Sequence, residues 1–345
     1  MRKIPSFSLG MLLAFASIGQ SFAAKRESKN LPSVTPVSLT GGTGGIGFDN
    51  ILFSPVLKKT LVPGGRSGNL YLVDPVSQKV DVIQGFSSEE YYPGGHGQGI
   101  TSVDAGAGFI FVTDRSSKRL GVVDPKSQKI VASAPLSSSP DYVKYVSASS
   151  EVWVTEPGDD RIEIFTLSLS DKPTVAHSGF ISVEGGPESI IYDSKRAQVY
   201  TNLWAGQTVA IDLKMRKIAG QWSNGCYGSR CMAIDESRGF LFAGCSEGKA
   251  SVMDLNHGGK LLSSLNAGAG IDGISYSPAL RHLYLPGSKS ATLSIVDVSK
   301  EGTLQLLEEV KTEKHSHCAA SDDSGNVWVC DPDHGQLLFY KDSTQ

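Results

Sequence analysis

Hydrophobic and polar positions repeat along this chain in seven similar stretches. Each has a polar residue, alternating small and apolar positions, a turn and a second β-rich run, as in ESIIYDSKRAQVYTN from Glu188. The stretches begin at Asp49, Gln98, Asp141, Glu188, Arg230, Asp272 and His317. Successive starts lie 49, 43, 47, 42, 42 and 45 residues apart. Periods of this length, each with room for four short strands, are typical of propeller blades.

A third β-rich segment follows in most repeats and ends at an aspartate. These segments are NLYLVDP, RLGVVDP, TVAIDL, ASVMDL and LSIVDV. Two of the turns that follow are nearly identical, DPVSQK from Asp74 and DPKSQK from Asp124. Proline presets such a turn and the aspartate side chain caps it. Since helical periodicity is absent after the first 23 residues, the pattern indicates an all-β protein.

The last repeat is one strand short. After His317 the chain supplies only three strands, which end near Asp342, whereas SVTPVSLTGG from Ser33 has the pattern of an outer strand. We therefore predict a single domain over residues 33–342, an all-β, seven-bladed β-propeller. In it the N-terminal strand completes blade seven, which removes an open sheet edge.

The first 23 residues have the pattern of a signal peptide. Arg2 and Lys3 precede a short apolar run, and Ser21, Phe22 and Ala23 offer a small-residue cleavage site. We predict a signal peptide over residues 1–23, an extension over 24–32, and a periplasmic or secreted product without a transmembrane segment. The net charge of −3 and the scattered charges favour no nucleic-acid partner. We expect a monomer that binds an unknown small molecule or exported protein.

Five cysteines suit one or two disulfides in an oxidising compartment. Cys318 starts a first strand and Cys330 ends the second, so the two lie opposite each other in a hairpin and are predicted to be bonded. For Cys245 two partners remain open, Cys226 and Cys231.

The segments QVYTN from Gln198, FVTD from Phe111 and WVTE from Trp153 resemble the second strand of the YVTN-repeat β-propellers, close to their YncE-like branch. The resemblance runs from about Gly47 to Asp342 and implies the propeller fold, with no shared reaction. Similar proteins carry cysteines at the positions of Cys226 and Cys245, so the resemblance favours that pair and leaves Cys231 free.

The first strand of a propeller blade runs beside the central channel, so the seven starting residues are predicted to form a ring at the channel mouth. In the family a His-Gly often opens the second blade, where this chain has HGQG, so the second position is either His96 or Gln98. Arg230, the basic member of the ring, fits an anionic ligand or a salt bridge. The ring is the candidate ligand-binding site; its plainer interpretation is that these side chains cap loops and hydrate the channel.

The ring carboxylates also suggest a divalent cation. Calcium takes six to eight oxygen ligands, and zinc favours histidine with a carboxylate. The candidate metal ligands are Asp141, Glu188, Asp272 and His317, with Asp49, His96 and His315 as further donors.

Four aromatic or imidazole side chains are predicted at the rim of the same face. Tyr91, Tyr92 and His96 lie in the long loop SSEEYYPGGHGQG, whose glycines would let it move as a flap, and Trp204 lies between a second and a third strand. Exposed aromatics beside a polar funnel are typical of recognition surfaces.

Two functions follow from these features. The first, which we favour, is a binding protein without catalytic activity. The second is a metal-dependent hydrolase or lyase of the lactonase type, with calcium or zinc as cofactor and His317 or His96 as general base. GTGGIG from Gly42 fits a dinucleotide glycine pattern, but it leads into a strand instead of a helix.

Overall fold

The computed structural model describes Met1, residues 33–169 and residues 172–344. Except for Met1, the predicted signal peptide and extension lie outside the described residues. The propeller belongs to a unit that spans Leu31–Gln345. In the described part of the chain, 28 strands form seven antiparallel sheets of four strands each. The predicted seven-bladed β-propeller is therefore confirmed.

The strands of each blade follow one another from the channel outwards. Blade one contains β2 (Leu52–Ser54), β3 (Lys59–Pro63), β4 (Asn69–Val73) and β5 (Val80–Gln84). Blade two contains β6 (Ile100–Gly106), β7 (Phe109–Asp114), β8 (Arg119–Asp124) and β9 (Lys129–Pro135). Blade three contains β10 (Val143–Val146), β11 (Glu151–Glu156), β12 (Arg161–Ser168) and β13 (Thr174–Ser182). Blade four contains β14 (Pro187–Asp193), β15 (Gln198–Leu203), β16 (Gln207–Asp212) and β17 (Lys217–Ser223).

The remaining blades have the same order. Blade five contains β18 (Ser229–Asp235), β19 (Phe240–Cys245), β20 (Lys249–Asp254) and β21 (Lys260–Asn266). Blade six contains β22 (Ser275–Ser277), β23 (His282–Gly287), β24 (Thr292–Val298) and β25 (Leu304–Lys311). Blade seven contains β26 (Ala319–Ser321), β27 (Asn326–Asp331), β28 (Gln336–Lys341) and β1 (Thr35–Ser38).

Blade seven is closed by both ends of the domain, as predicted. Strand β1 pairs antiparallel with β28, and Val37 lies opposite Leu337. Val37 and Leu39 pack with Trp328 in one apolar cluster. The N-terminal strand is therefore held by side-chain packing as well as by backbone hydrogen bonds.

The core lies between neighbouring blades. Every residue of β11, β19, β23 and β27 is buried, because middle strands have blades packed on both faces, whereas the outer strands β9 and β17 are mostly exposed. Trp153 of blade three packs in one cluster with Ile190 and Val199 of blade four. This two-sided burial explains the continuous apolar runs of the middle strands.

Two single-turn 3-10 helices lie in connections between strands of the described chain: Pro157–Asp159 between β11 and β12, and Leu255–His257 between β20 and β21. Within the described residues, no helix is long and apolar enough to cross a membrane. The predicted aspartate turns are present: Asp74 accepts hydrogen bonds from the backbone N–H of Val76 at 3.1 Å and of Ser77 at 2.9 Å.

The cysteines form two disulfides. Cys318 and Cys330 are bonded across the β26–β27 hairpin, with a Cα–Cα distance of 5.5 Å, as the strand pattern predicts. Cys226 is bonded to Cys245 with a Cα–Cα distance of 5.4 Å, and Cys231 is a buried free thiol. Of the two partners open to Cys245, the structure selects the one favoured by the family resemblance.

We expect the double variant Cys318→Ala/Cys330→Ala to lose about 3 kcal/mol of unfolding free energy, because the disulfide restricts the unfolded chain. Urea unfolding at pH 7 measures this loss. Cys231→Ala is the matched control, since it removes one buried sulfur and keeps both disulfides; we expect it to lose about 1 kcal/mol. Equal losses in the two variants would show that the disulfide adds nothing beyond sulfur packing.

Candidate functional site

A funnel-shaped cavity of about 820 Å³ opens at one end of the central channel. Its walls come from residues at the start of first strands, such as Asp141 and Asp272, and from residues after second strands, such as Arg115 and Trp204. Adjacent strands are antiparallel, so the start of the first and the end of the second lie at the same edge of the blade. The blade order therefore brings distant parts of the sequence to one cavity.

The structure places most of the predicted ring at this cavity. Five ring residues line it: Asp141, Glu188, Arg230, Asp272 and His317. Asp49 is buried, with 3% of its side chain exposed, and contacts the lining residues His96 and Arg115. His96 lines the cavity, whereas Gln98 is not among its lining residues.

The predicted rim is only partly at the cavity. Tyr92 and Trp204 line it, and 46% of Trp204 is exposed. Tyr91 is 75% exposed but is not among the lining residues. Burial and the nearby Asp333 raise the pKa of Tyr92 to about 12, so its hydroxyl group stays protonated at neutral pH.

Arg115 is the central residue that the sequence analysis missed. Its Nη2 donates to Asp49 Oδ2 at 2.8 Å and to Asp141 Oδ1, and its Nε donates to the Pro140 carbonyl at 2.9 Å. Its Nη1 lies 2.8 Å from both the carbonyl oxygen and Nδ1 of His96. One guanidinium group thus joins three predicted site residues from three repeats.

A signal for Arg115 exists in the sequence. It directly follows the second strand of blade two, at Asp114, just as Trp204 follows the second strand of blade four at Leu203. Loops after second strands open onto the funnel face, so the position of Arg115 is equivalent to that of Trp204. The pattern of charged strand starts does not include Arg115, because it lies after a second strand.

The two carboxyl groups that share Arg115 have opposite pKa shifts. Burial opposes the charge on Asp49, but His96 and Arg115 outweigh it and hold the pKa of Asp49 below its ordinary value. Burial and the nearby charge of Asp49 raise the pKa of Asp141 well above its ordinary value, despite Arg115. The arrangement therefore favours the negative charge on Asp49 over one on Asp141.

His96 connects this pair to the open cavity. Its Nδ1 is 3.3 Å from Asp49 Oδ2, and its Nε2 is 3.9 Å from Asp272 Oδ2. The charge of Asp49 raises the pKa of His96, although burial and Arg115 oppose this. Because a guanidinium only donates hydrogen bonds, Nδ1 of the neutral ring accepts from Arg115. Its proton then lies on Nε2, the nitrogen nearer to Asp272.

Glu188, the charged residue before an apolar strand segment, is held on the funnel wall by two neighbours. Arg230 Nη1 donates to its Oε1 at 3.0 Å, and Trp204 Nε1 donates to its Oε2. Burial and the charge of Asp272 nevertheless raise the pKa of Glu188. Since the indole nitrogen is fixed by Glu188, the Trp204 ring is oriented while part of it stays exposed to the cavity.

Both ring nitrogens of His317 contact backbone carbonyls. Nδ1 lies 2.6 Å from the oxygen of His315, and Nε2 lies 2.9 Å from the oxygen of Phe48. Carbonyl oxygens only accept hydrogen bonds, so a neutral ring, which has a single N–H group, donates to one of the two. In this geometry both nitrogens of His317 face backbone carbonyls.

The arrangement of possible metal ligands differs from the predicted set. Among the described residues at the funnel, the ligand atoms that lie within 4.8 Å of one another belong to Asp49, His96 and Asp272. Asp49 already contacts the Arg115 guanidinium at 2.8 Å. A divalent cation would face that positive charge at a cost of several kcal/mol, even at an effective dielectric constant of about 20. The trio has suitable donor atoms, but the Asp49 carboxylate already has the Arg115 guanidinium as its cationic partner.

The glycine segment GTGGIG supports the loop that carries Tyr92 and His96. A Cβ on Gly45 would overlap the Tyr92 ring, and one on Gly47 would overlap the Gly95 carbonyl. These glycines are needed because the loop passes directly over their backbone. The structure thus gives this segment a packing role.

Arg66 anchors the base of the same loop. The buried guanidinium donates from Nη2 to Thr43 O and from Nε to Gly45 O, both at 2.7 Å, and its Nη1 contacts the carbonyls of Glu89 and Glu90. The part of the loop near Arg66 is therefore tied to the N-terminal segment. Toward the tip of the loop, an added Cβ on Gly94, Gly95 or Gly97 would have nothing within 4 Å.

A smaller cavity of about 210 Å³ lies along the first strands and is lined by Tyr142 and Val143, among others. Asp141 lines the funnel and Tyr142 lines this second cavity. The boundary between the cavities is therefore at the level of Asp141. At this level Arg115 contacts both Asp141 and Asp49.

Comparisons with known proteins establish the fold. No family model matches the chain, and no curated protein matches it. A chain in a crystal structure of the mitotic checkpoint complex aligns with a TM-score of 0.71 and 13% identity, over 99% of both chains. The β-propeller domain of Myceliophteria thermophila Cps50 (Swd1) gives 0.71 at 10% identity, over 90% of this chain and 100% of that one. Kuenenia stuttgartiensis hydrazine synthase gives 0.70 at 12% identity, over 92% and 99%. At these identities the similarity shows the β-propeller fold alone.

Asp49→Asn and Asp141→Asn should respond oppositely to pH. The lowered pKa of Asp49 contributes stability above about pH 4, the ordinary aspartate range, and this is lost as pH falls. Asp49→Asn should therefore cost about 3 kcal/mol at pH 7, and less toward pH 3. The raised pKa of Asp141 contributes stability below about pH 4 that is lost as pH rises.

Asp141→Asn should therefore gain stability relative to the wild type as the pH rises above about 4. Urea unfolding at several pH values measures both variants. Parallel pH profiles for the two variants would contradict the assignment of the charge to Asp49.

Gly45→Ala should loosen the loop that carries Tyr92, because the added methyl group displaces the tyrosine ring. We expect faster chymotrypsin cleavage after Tyr91, measured by mass spectrometry of timed digests. Gly97→Ala lies in the same loop but has nothing within 4 Å of its added Cβ, so its cleavage rate should match the wild type. Equal rates for all three proteins would show that Gly45 does not secure the loop.

Proposed function

We propose that this chain is an exported binding protein of the YVTN-repeat, YncE-like type, which holds a small ligand in the funnel. The sequence resemblance and the signal-like first 23 residues support this assignment. Two disulfides are consistent with an oxidising compartment.

One observation carries the proposed binding function. The cavity of about 820 Å³ gathers charged side chains from several blades beside the half-exposed Trp204. Cavities of roughly 300–1,000 Å³ with a few convergent polar groups are typical small-molecule sites. The ring residues fit this function better than channel hydration alone because Arg115, Arg230 and Trp204 hold their carboxyl groups in fixed positions.

The Asp49, His96 and Asp272 trio favours a second candidate, a metal-dependent hydrolase or lyase. With a metal bound there, His96 would be a ligand, and the remaining carboxyl groups would be the candidates for general base. The Arg115 charge opposes a metal in this position, and His317 has both nitrogens engaged by carbonyls. We therefore place the binding function first.

A thermal-shift screen of small cations, anions, sugars and metal ions tests the proposal. A funnel ligand at one hundred times its Kd should add about 2.7 kcal/mol of stability to the wild type. This gain should fall in Trp204→Leu and in Glu188→Gln. EDTA should leave the wild-type Tm unchanged if no metal is held.

Tyr91→Leu is the matched control, because it removes an exposed aromatic residue close to the rim that does not line the cavity. It should keep the ligand-induced shift. Ligands whose shifts are the same in Trp204→Leu and in the wild type would place binding outside the funnel. A Tm that EDTA lowers, and that one equivalent of metal restores, would favour the hydrolase or lyase instead.

A further inference from the structure

We propose that the funnel ligand is a small organic ammonium ion, with Asp272 as its counter-charge and Trp204 as its aromatic contact. This inference rests on the proposed binding function and adds the chemical class of the ligand.

Three of the four carboxyl groups at the base of the funnel contact an arginine. Arg115 contacts Asp49 and Asp141, and Arg230 contacts Glu188. The carboxyl group of Asp272 is the one of the four for which no arginine contact within 4.0 Å is found among the described residues.

Asp272 is the carboxylate left for a ligand. Among its described contacts, the nearest basic side chain is that of His96, whose Nε2 lies 3.9 Å from Asp272 Oδ2, beyond hydrogen-bond distance. A quarter of the Asp272 side chain is exposed, and the residue lines the cavity. A cation in the funnel can therefore reach this carboxylate without displacing an arginine from it.

Trp204 offers a partly exposed aromatic ring in the same cavity. Its ring lines the same cavity and already has the Arg230 guanidinium 6.0 Å from its centroid. The hydrogen bond from Nε1 to Glu188 fixes the ring. A half-exposed indole that lines the same cavity as the Asp272 carboxylate can attract an organic ammonium ion through cation–π contact.

Other ligand classes fit this cavity less well. An anion would meet Asp272 and Glu188, while the guanidinium groups that could bind it are already paired with carboxyl groups. A divalent metal ion needs several direct ligands and would lie beside Arg115. An ammonium ion avoids both problems, because its charge is spread over a larger volume and needs no coordination shell. The exposed Lys289 and the His315–Asp333 pair also line the wall of the cavity. Lys289 is therefore the cation there that an anion could approach.

Isothermal titration with choline and with 1,4-diaminobutane tests the inference. We expect at least one of them to bind. Affinity should fall about tenfold or more in Asp272→Asn and about three- to tenfold in Trp204→Leu. The uncharged choline analogue 3,3-dimethylbutan-1-ol and the anion benzoate should bind at least tenfold more weakly than the ammonium probes.

Asp81→Asn provides the charge-matched control. It makes the same substitution in blade one, where Asp81 contacts Lys59 and Lys79 instead of the funnel, and should leave affinity unchanged. An equal loss in Asp81→Asn and Asp272→Asn would mean that net charge acts from a distance, which contradicts a specific site.

Failure of this inference differs from failure of the proposed function. If benzoate or the neutral analogue binds in a Trp204-dependent way and both ammonium probes do not, the ligand class is wrong while the funnel remains a binding site. If neither ammonium probe binds, the inference is overturned as well. The thermal-shift screen then decides separately whether the funnel binds another class of ligand.

Discussion

The constraint on which this structure depends is that each blade is apolar on both faces. A middle strand such as β11 is buried along its whole length, so a blade that lacks a neighbour would expose a sheet of apolar side chains to water. Seven blades arranged in a ring give each one two neighbours. In this ring the first strands surround the central channel, and the polar residues at their ends line its mouth. The charged funnel is thus a direct result of how the apolar faces are buried.

Within the funnel, two arginines form salt bridges with three carboxyl groups. Arg115 is shared by two carboxyl groups, and Arg230 serves one. A buried group of like charges is tolerated only if some members stay neutral or are paired. The raised pKa values of Asp141 and Glu188 favour their neutral forms, whereas the lowered pKa of Asp49 favours its charged form.

The sequence was enough to predict the fold, because repeat spacing and alternation depend on local chemistry that every blade shares. The strand order, the closing N-terminal strand and the Cys318–Cys330 disulfide all follow from it. The site was only partly predictable. Strand starts indicated Asp141, Glu188 and Asp272, but the orientation of His317 toward two carbonyls depends on loops with no repeating pattern. The choice of His96 over Gln98 also depends on such a loop, which Gly45, Gly47 and Arg66 position from elsewhere in the chain.

The pairing of β1 with β28 also sets the order in which the molecule can be completed. Val37 lies opposite Leu337, so the partners are 300 positions apart. During synthesis at roughly 5–20 residues per second, the N-terminal strand waits about 15 to 60 s for its partner. Blades one to six contain only consecutive strands and can form as they emerge. The last blade can close only after all the strands of the domain have been made, since its final hydrogen bonds join the first strand of the domain to the last.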